Sequence, residues 1–133
     1  MSRGLRNCNP GNIRRSRVRY RGEVVPSRDV EFKEFETMAY GYRAMFVLLD
    51  TYHRRYGLTT IRGMISRWAP PSENFTDGYI RFVAERSGID ADAMVDSRLE
   101  RDMVPIVAAM SEIENGVKAV MTDVHEGWEL FIC

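Results

Sequence analysis

The chain reads as an α+β protein in which helices dominate, and three observations say so. Its first 36 residues are rich in turn formers and arginine and hold only short, partly alternating apolar runs. Residues 37–116 then carry a succession of helical periodicities bounded by capping residues. Residues 117–133 are too apolar to stay disordered and are expected to fold back onto the body or to dock on a partner. At 133 residues this is the size of a single domain with one core.

The opening segment Arg3-Gly4-Leu5-Arg6-Asn7-Cys8-Asn9-Pro10-Gly11-Asn12-Ile13-Arg14 has three asparagines and a Pro-Gly pair. Asn competes for backbone hydrogen bonds, Pro lacks a donor and Gly releases φ, so neither a helix nor a strand is expected. Pro10-Gly11 suits the centre of a type II turn. Short amides and guanidinium groups also suit a polar polymer such as a glycan; the alternative is a well-tied turn with no further role. After it, Val18 and Tyr20 alternate with arginines, and Val30, Phe32 and Phe35 are spaced by charges. This pattern predicts a small antiparallel hairpin or three short strands, with turns or an edge at Gly22 and Pro26. Glu31 and Glu34 read as solvent-facing strand residues.

Thr37 is a candidate N-cap for a helix over 39–56, with Tyr42, Met45, Phe46, Leu49 and Tyr52 on one face and Gly57 as its stop. Thr59 opens a short helix over 61–68, ended by Pro70-Pro71. Thr76 caps a third helix over 77–87, with Gly88 at its exit. Ser97-Arg98-Leu99-Glu100 has the form of a capping box for a helix reaching Glu114, which Pro105 should kink or divide and Asn115-Gly116 should stop.

Charge is unevenly distributed. Residues 3–28 hold eight arginines against the single acid Glu23, a balance of +7, in a chain of zero net charge. A basic hairpin on an acidic body points to an anionic polymer, with cell wall and nucleic acid both qualifying. Tyr20 is the hairpin's sole aromatic before Phe32, which weakens the case for stacking of single-stranded nucleic acid. The alternative is a solvated edge whose charges deter strand pairing. No apolar run reaches transmembrane length, and the N-terminus lacks the apolar core of a signal peptide, so synthesis in a cytoplasm without export signal is expected. Cys8 and Cys133 are expected as free thiols, and no Cys/His spacing resembles a zinc site. No metal or organic cofactor is expected.

Catalytic motifs built on Ser/His/Asp, glycine-rich phosphate loops or paired histidines are missing, which leaves carboxylates. Glycosidic bonds are cut by such groups, one of them held protonated in a partly apolar setting. Glu114 fits: it ends an apolar helix, meets the negative end of the helix dipole, and adjoins Asn115-Gly116. A fraying, solvated helix end is the plain alternative. Glu73 is second, in the rigid, aromatic-flanked segment Trp68-Ala69-Pro70-Pro71-Ser72-Glu73-Asn74-Phe75-Thr76. Trp68 and Tyr79 are candidates for stacking on sugar faces, or else core residues.

Three segments carry a resemblance: the opening one; Phe32-Lys33-Glu34-Phe35 with Tyr40-Gly41-Tyr42-Arg43-Ala44-Met45; and 67–76. Together with Ile113-Glu114-Asn115-Gly116 they resemble small phage and prophage virion proteins called structural protein P5-like. Cys8 stands where that family usually has Asn. A second resemblance is to lysozyme-like peptidoglycan glucosaminidases and lytic transglycosylases, in which a glutamate-bearing helix precedes an Asn-rich strand, a hairpin and further helices. Here the glutamate helix comes last, so the resemblance implies a circularly permuted lysozyme-like layout. It implies a virion-associated enzyme that cleaves peptidoglycan glycan strands, with Glu114 as general acid/base and Glu73 as second carboxylate. Asn9, Asn12, Arg14, Tyr20, Trp68, Asn74 and Tyr79 would bind substrate. Implied partners are peptidoglycan and other virion proteins, with nucleic acid less favoured and no membrane span. The rival is a non-catalytic virion protein whose tail, with Trp128 and Phe131, docks on a larger assembly. The permuted layout requires Asn115-Gly116 to lie beside residues 7–13.

Overall fold

A computed structural model describes all residues except Glu73. Contrary to expectation the opening segment holds one helical turn, α1 (Arg3–Arg6), capped by the Ser2 hydroxyl; it leads into a polar loop and two short strands, β1 (Glu23–Val24) and β2 (Glu34–Phe35). Five helices follow: α2 (Met38–Tyr56), α3 (Ile61–Trp68), α4 (Thr76–Ser87), α5 (Glu100–Asn115) and α6 (Met121–Ile132). The class is thus the expected mainly helical α+β.

The strand region is more irregular than alternation suggested. β1 and β2 pair antiparallel with Glu23 opposite Phe35, and an isolated bridge joins Arg14 to Phe32. The arginine-rich stretch 15–21 forms no strand. Its backbone is organised instead by Lys33, whose ammonium is almost wholly buried and donates to the Ser16 and Val18 carbonyls and to Glu23 Oε2 at 3.0 Å. Lysine is rarely so buried unless paired, and here each donated bond replaces water. Glu34 is also buried rather than solvent-facing: its Oε1 accepts from the Arg28 amide at 3.0 Å and its Oε2 from the Arg28 guanidinium.

The helices start and stop by local chemistry. The Thr37 and Thr60 hydroxyls accept from Tyr40 N and Gly63 N, so the α3 cap is Thr60 and not Thr59. Gly57, Gly88 and Gly116 close α2, α4 and α5 in the left-handed region. Thr76 begins α4 rather than capping it, and its hydroxyl donates to the Ala69 carbonyl, tying α4 to the end of α3. The expected capping box at 97–100 does not form. Ser97 is buried and its hydroxyl donates to Asp50 Oδ1 at 2.8 Å, so the side chain serves a tertiary bond. Pro105, expected to kink or divide this helix, lies in the second turn of an uninterrupted α5, where it removes the one ladder bond to the Arg101 carbonyl.

The core runs between α2, α3, α4, α5 and α6, with Tyr42, Met45, Phe46, Leu49, Ile65, Ile106 and Met110 buried. The C-terminal segment is helical, and α6 lies along α2. Trp128 meets Phe46 edge-on at 5.1 Å and Phe131 stacks on the same ring at 6.1 Å. Trp128 is only 3% exposed, so it is not a docking residue; it is committed to the core. Both cysteines are free thiols. Among the described residues, no helix is long and apolar enough to cross a membrane.

Breaking the buried pair tests the organisation of the N-terminal region. Lys33→Ala should destabilise the fold by about 3 kcal/mol or more, since it leaves Glu23 buried without a cation. Combining Lys33→Met with Glu23→Gln should cost clearly less than Lys33→Ala alone. Urea denaturation of the three proteins checks both statements.

Candidate functional site

The first fifteen residues are fastened to the end of α5. Asn115 holds the joint: its Nδ2 donates to the Pro10 carbonyl at 2.9 Å and to the Ser111 carbonyl of its own helix, while its Oδ1 accepts from the Ser2 hydroxyl at 2.7 Å. Asn115 therefore lies against the N-terminal loop. Asn9 holds the loop's inner side. Its amide donates to the Ile13 and Lys33 carbonyls, and its oxygen accepts from Ile13 N, all at 2.9 Å.

Two glycines let this happen. A Cβ on Gly41 of α2 would sit 2.1 Å from the Cys8 carbonyl oxygen, so only glycine lets the loop rest on that helix. A Cβ on Gly4 would meet Asn115 Oδ1 at 2.5 Å, the Asn9 carbonyl at 2.8 Å and Asn12 Oδ1 at 2.9 Å. Asn12 has φ +49°, a conformation that Asn adopts more readily than other non-glycine residues.

This fastening carries Asn12 onto Glu114. Asn12 Nδ2 donates to Glu114 Oε1 at 2.8 Å, and the Tyr79 hydroxyl of α4 donates to Oε2 at 3.0 Å. Burial pushes the Glu114 carboxyl above its ordinary value of 4.5; Asn12, Tyr79 and the neighbouring Trp68 indole of α3 favour the charged form and oppose that rise without cancelling it. Tyr79 is pushed well above its ordinary value by burial, by the Glu114 charge and by the bond it donates. It stays protonated and remains a donor.

Glu114 is at the wall of a cleft of about 420 Å³. Gly11, Asn12, Arg14 and Tyr20 line it from the N-terminal loop, Trp68 and Asn74 from α3 and the segment after it, and Tyr52 from α2. Its size suits a small ligand or a short stretch of polymer. A larger hollow of 730 Å³ near Arg62, Asp77, Arg81 and Glu85 is lined by exposed charges and holds no desolvated acid.

The residues expected to bind substrate divide into three groups. Arg14, Tyr20, Trp68 and Asn74 line the cleft. Arg14 also pairs with Glu31 at 3.5 Å and lies over the Phe32 ring. Asn12 and Tyr79 reach the carboxylate itself; Tyr79 is buried beneath it and offers no ring face to a sugar. Asn9 is fully buried with its amide engaged, so it shapes the loop and faces no ligand. Glu73 lies outside the described residues. Among the described residues Glu114 is the only carboxylate lining the cleft, and no group of His, Cys, Asp and Glu is placed to hold a metal ion.

Sequence reasoning missed Ser2 and Lys33, and it put Asn115 beside the loop without foreseeing the bonds it makes there. Lys33 had a signal: it shares strand parity with Phe35, which is buried, so it faces inward. The bonds of Asn115 had none, because an amide before a helix-ending glycine looks like ordinary termination.

The raised Glu114 has a measurable consequence. The folded protein binds that proton more tightly than the unfolded chain, so stability contributed at low pH is lost as pH rises through the folded value. In Glu114→Gln this loss is absent. The stability of the variant relative to the parent should therefore increase from about pH 4 to about pH 8, as read by urea melts.

No family model matches the chain. The chain is similar to protein P5 of Pseudoalteromonas phage PM2, with 39% identity over 133 aligned positions that cover 96% of this chain and 81% of the relative.

Proposed function

The chain belongs to the phage protein P5 family, and from that premise we propose that it is a component of a phage particle whose Glu114 cleft binds and cleaves the glycan strand of bacterial peptidoglycan. One observation carries the catalytic half: a desolvated carboxyl, held by the Asn12 amide and the Tyr79 hydroxyl, opens on a cleft lined by amide, guanidinium and aromatic groups. That is the setting of a glycosidic general acid. Membership of the family supports the virion half. The lysozyme-like, permuted layout belongs to the same reading, supported by the contact of Asn115 with the Pro10 carbonyl.

In this reading the protonated Glu114 gives its proton to the glycosidic oxygen as the C–O bond breaks and positive charge develops on the sugar ring. The carboxylate left behind then accepts a proton from the attacking hydroxyl. With one carboxylate in the described lining, a hydroxyl of the same sugar residue is the fitting nucleophile, and the product is an internal anhydro ring. Hydrolysis would instead require a second carboxylate or a positioned water; Glu73 is the candidate. Arg14 and Asn74 would hold the glycan's polar groups, and Trp68 and Tyr20 its ring faces.

A second reading has its own support. Kinship with a phage protein speaks more directly for a non-catalytic virion component that binds cell wall or other virion proteins than for an enzyme.

Glu114→Gln separates the two. If the cleft cleaves glycan, turbidity clearance of purified cell wall should fall by roughly 100-fold or more in this variant. Glu73→Gln should reduce it less, and the reverse order would exchange their roles. An anhydro end on the product identifies the internal nucleophile; a reducing end identifies water. No clearance by the parent protein, together with wall or virion binding, establishes the non-catalytic reading.

Replacing Arg14, Arg15, Arg17 and Arg19 with Gln should weaken wall binding at low salt and flatten its salt dependence. Equal binding by the variant would assign those charges to solubility. Stronger retention on duplex DNA than on wall would move the assignment to nucleic acid.

A further inference from the structure

Asn12 Oδ1 is buried and accepts no hydrogen bond, although the amide nitrogen of the same side chain is bonded to Glu114. Its surroundings make this unfavourable. The Gly4 Cα presents its hydrogen to a point 2.9 Å from Asn12 Oδ1, 2.5 Å from Asn115 Oδ1 and 2.8 Å from the Asn9 carbonyl. Three acceptors converge there; Asn115 Oδ1 accepts from the Ser2 hydroxyl and the Asn9 carbonyl from the Asn12 backbone amide, while Asn12 Oδ1 is left with only the weak C–H donor. An unpaired buried acceptor is costly, and more so beside other acceptors.

Turning the amide over removes the conflict. Nδ2 would then face the Asn115 and Asn9 oxygens, and Oδ1 would face Glu114. A carboxylate cannot donate to it, but a carboxylic acid can. We propose that the Asn12 side-chain amide turns over with the protonation of Glu114, donating Nδ2 to the carboxylate and accepting at Oδ1 from the carboxylic acid. Asn12 is thereby a positioning residue for the acid. It presents a matching group to either charge state, and only the protonated state leaves no buried acceptor unpaired. The inference deepens the reading of Glu114 as a general acid but does not require cleavage to occur.

The other groups facing Glu114 leave this role open. Tyr79 from α4 is a donor, and the neighbouring Trp68 indole from α3 favours the charged form. Tyr79 can also accept from the acid by rotating its hydroxyl, but it has no second orientation that relieves Asn12. Tyr52 from α2 and Tyr20, Arg14 and Arg15 from the N-terminal loop share the cleft lining; among them the arginines carry fixed charge.

NMR of the intact protein tests this without any substrate. The Glu114 side-chain carboxyl carbon is titrated while the Asn12 Nδ2 protons are followed. Below the Glu114 midpoint these protons should show contacts to Gly4 Hα; above it those contacts should vanish and the Nδ2 shift should change with the same midpoint. An Asn12 amide whose contacts and shift are the same on both sides of that midpoint overturns the proposal. Asn12→Gly, which tolerates the positive φ, supplies the second arm. The Glu114 midpoint should move little, because both charge states lose a partner; a tenfold or greater gain in proton affinity would show that Asn12 acts only as a fixed donor to the carboxylate and overturn the proposal. Because neither arm reads activity, a static amide leaves the cleavage question to the wall assay, and failed cleavage leaves the amide result standing.

Discussion

Everything at the cleft depends on the joint between Asn115 and the N-terminal loop. One amide bonds a carbonyl of its own helix, a carbonyl 105 positions away in sequence, and a serine hydroxyl that also caps α1. The loop has no ladder of its own, so its shape comes from side chains. Asn9 ties it inward, Asn115 ties it to α5, and Gly4 and Gly41 let backbone and amide groups approach where any side chain would collide. Such a network is sensitive to single changes, because each group lost leaves a buried partner unsatisfied. Its rigidity is what holds Asn12 within bonding distance of Glu114.

How much of this was legible depends on the kind of signal. Helix positions were, because periodicity and terminal glycines act locally; α2 and α3 begin and end within a residue or two of expectation. Strand length was not. The alternation of Val18 and Tyr20 with arginines looked like a strand, but Lys33 binds that backbone through its ammonium and no ladder forms. Ser97 looked like a cap for the same reason: the motif was local, and a buried Asp50 claimed the hydroxyl. Glu114 stood out in the sequence because a carboxylate at the end of an apolar helix is locally unfavourable, and it lies at the wall of the cleft. Its donors stood out less. Tyr79 was expected at a sugar face and lies below the carboxylate, since nothing in the spacing of α4 tells which side of the acid its face meets.

The arginine excess also reads differently in three dimensions. Several of those charges have partners: Arg3 with Asp29 and Glu31, Arg14 with Glu31, and Arg28 with Glu34. Asp29, held well below the usual carboxylate range by Arg3, also accepts from Asn7 and from the Glu31 and Phe32 amides. Part of the basic character is thus spent inside the N-terminal region on folding a segment that has almost no secondary structure. Of what remains outward, Arg6 stands apart and the rest lies along 15–21, beside the cleft.

The bond between Asn12 and Glu114 spans 102 positions of chain. A ribosome delivers one half of that pair long before the other, so the cleft has no existence on a nascent polypeptide until most of the sequence has been made. Contacts of such separation are slow to form, because a large loop must close before they bring any gain. Under the proposed reading the order of synthesis is thus a timer: the acid meets its amide partner only after residue 114 has been made.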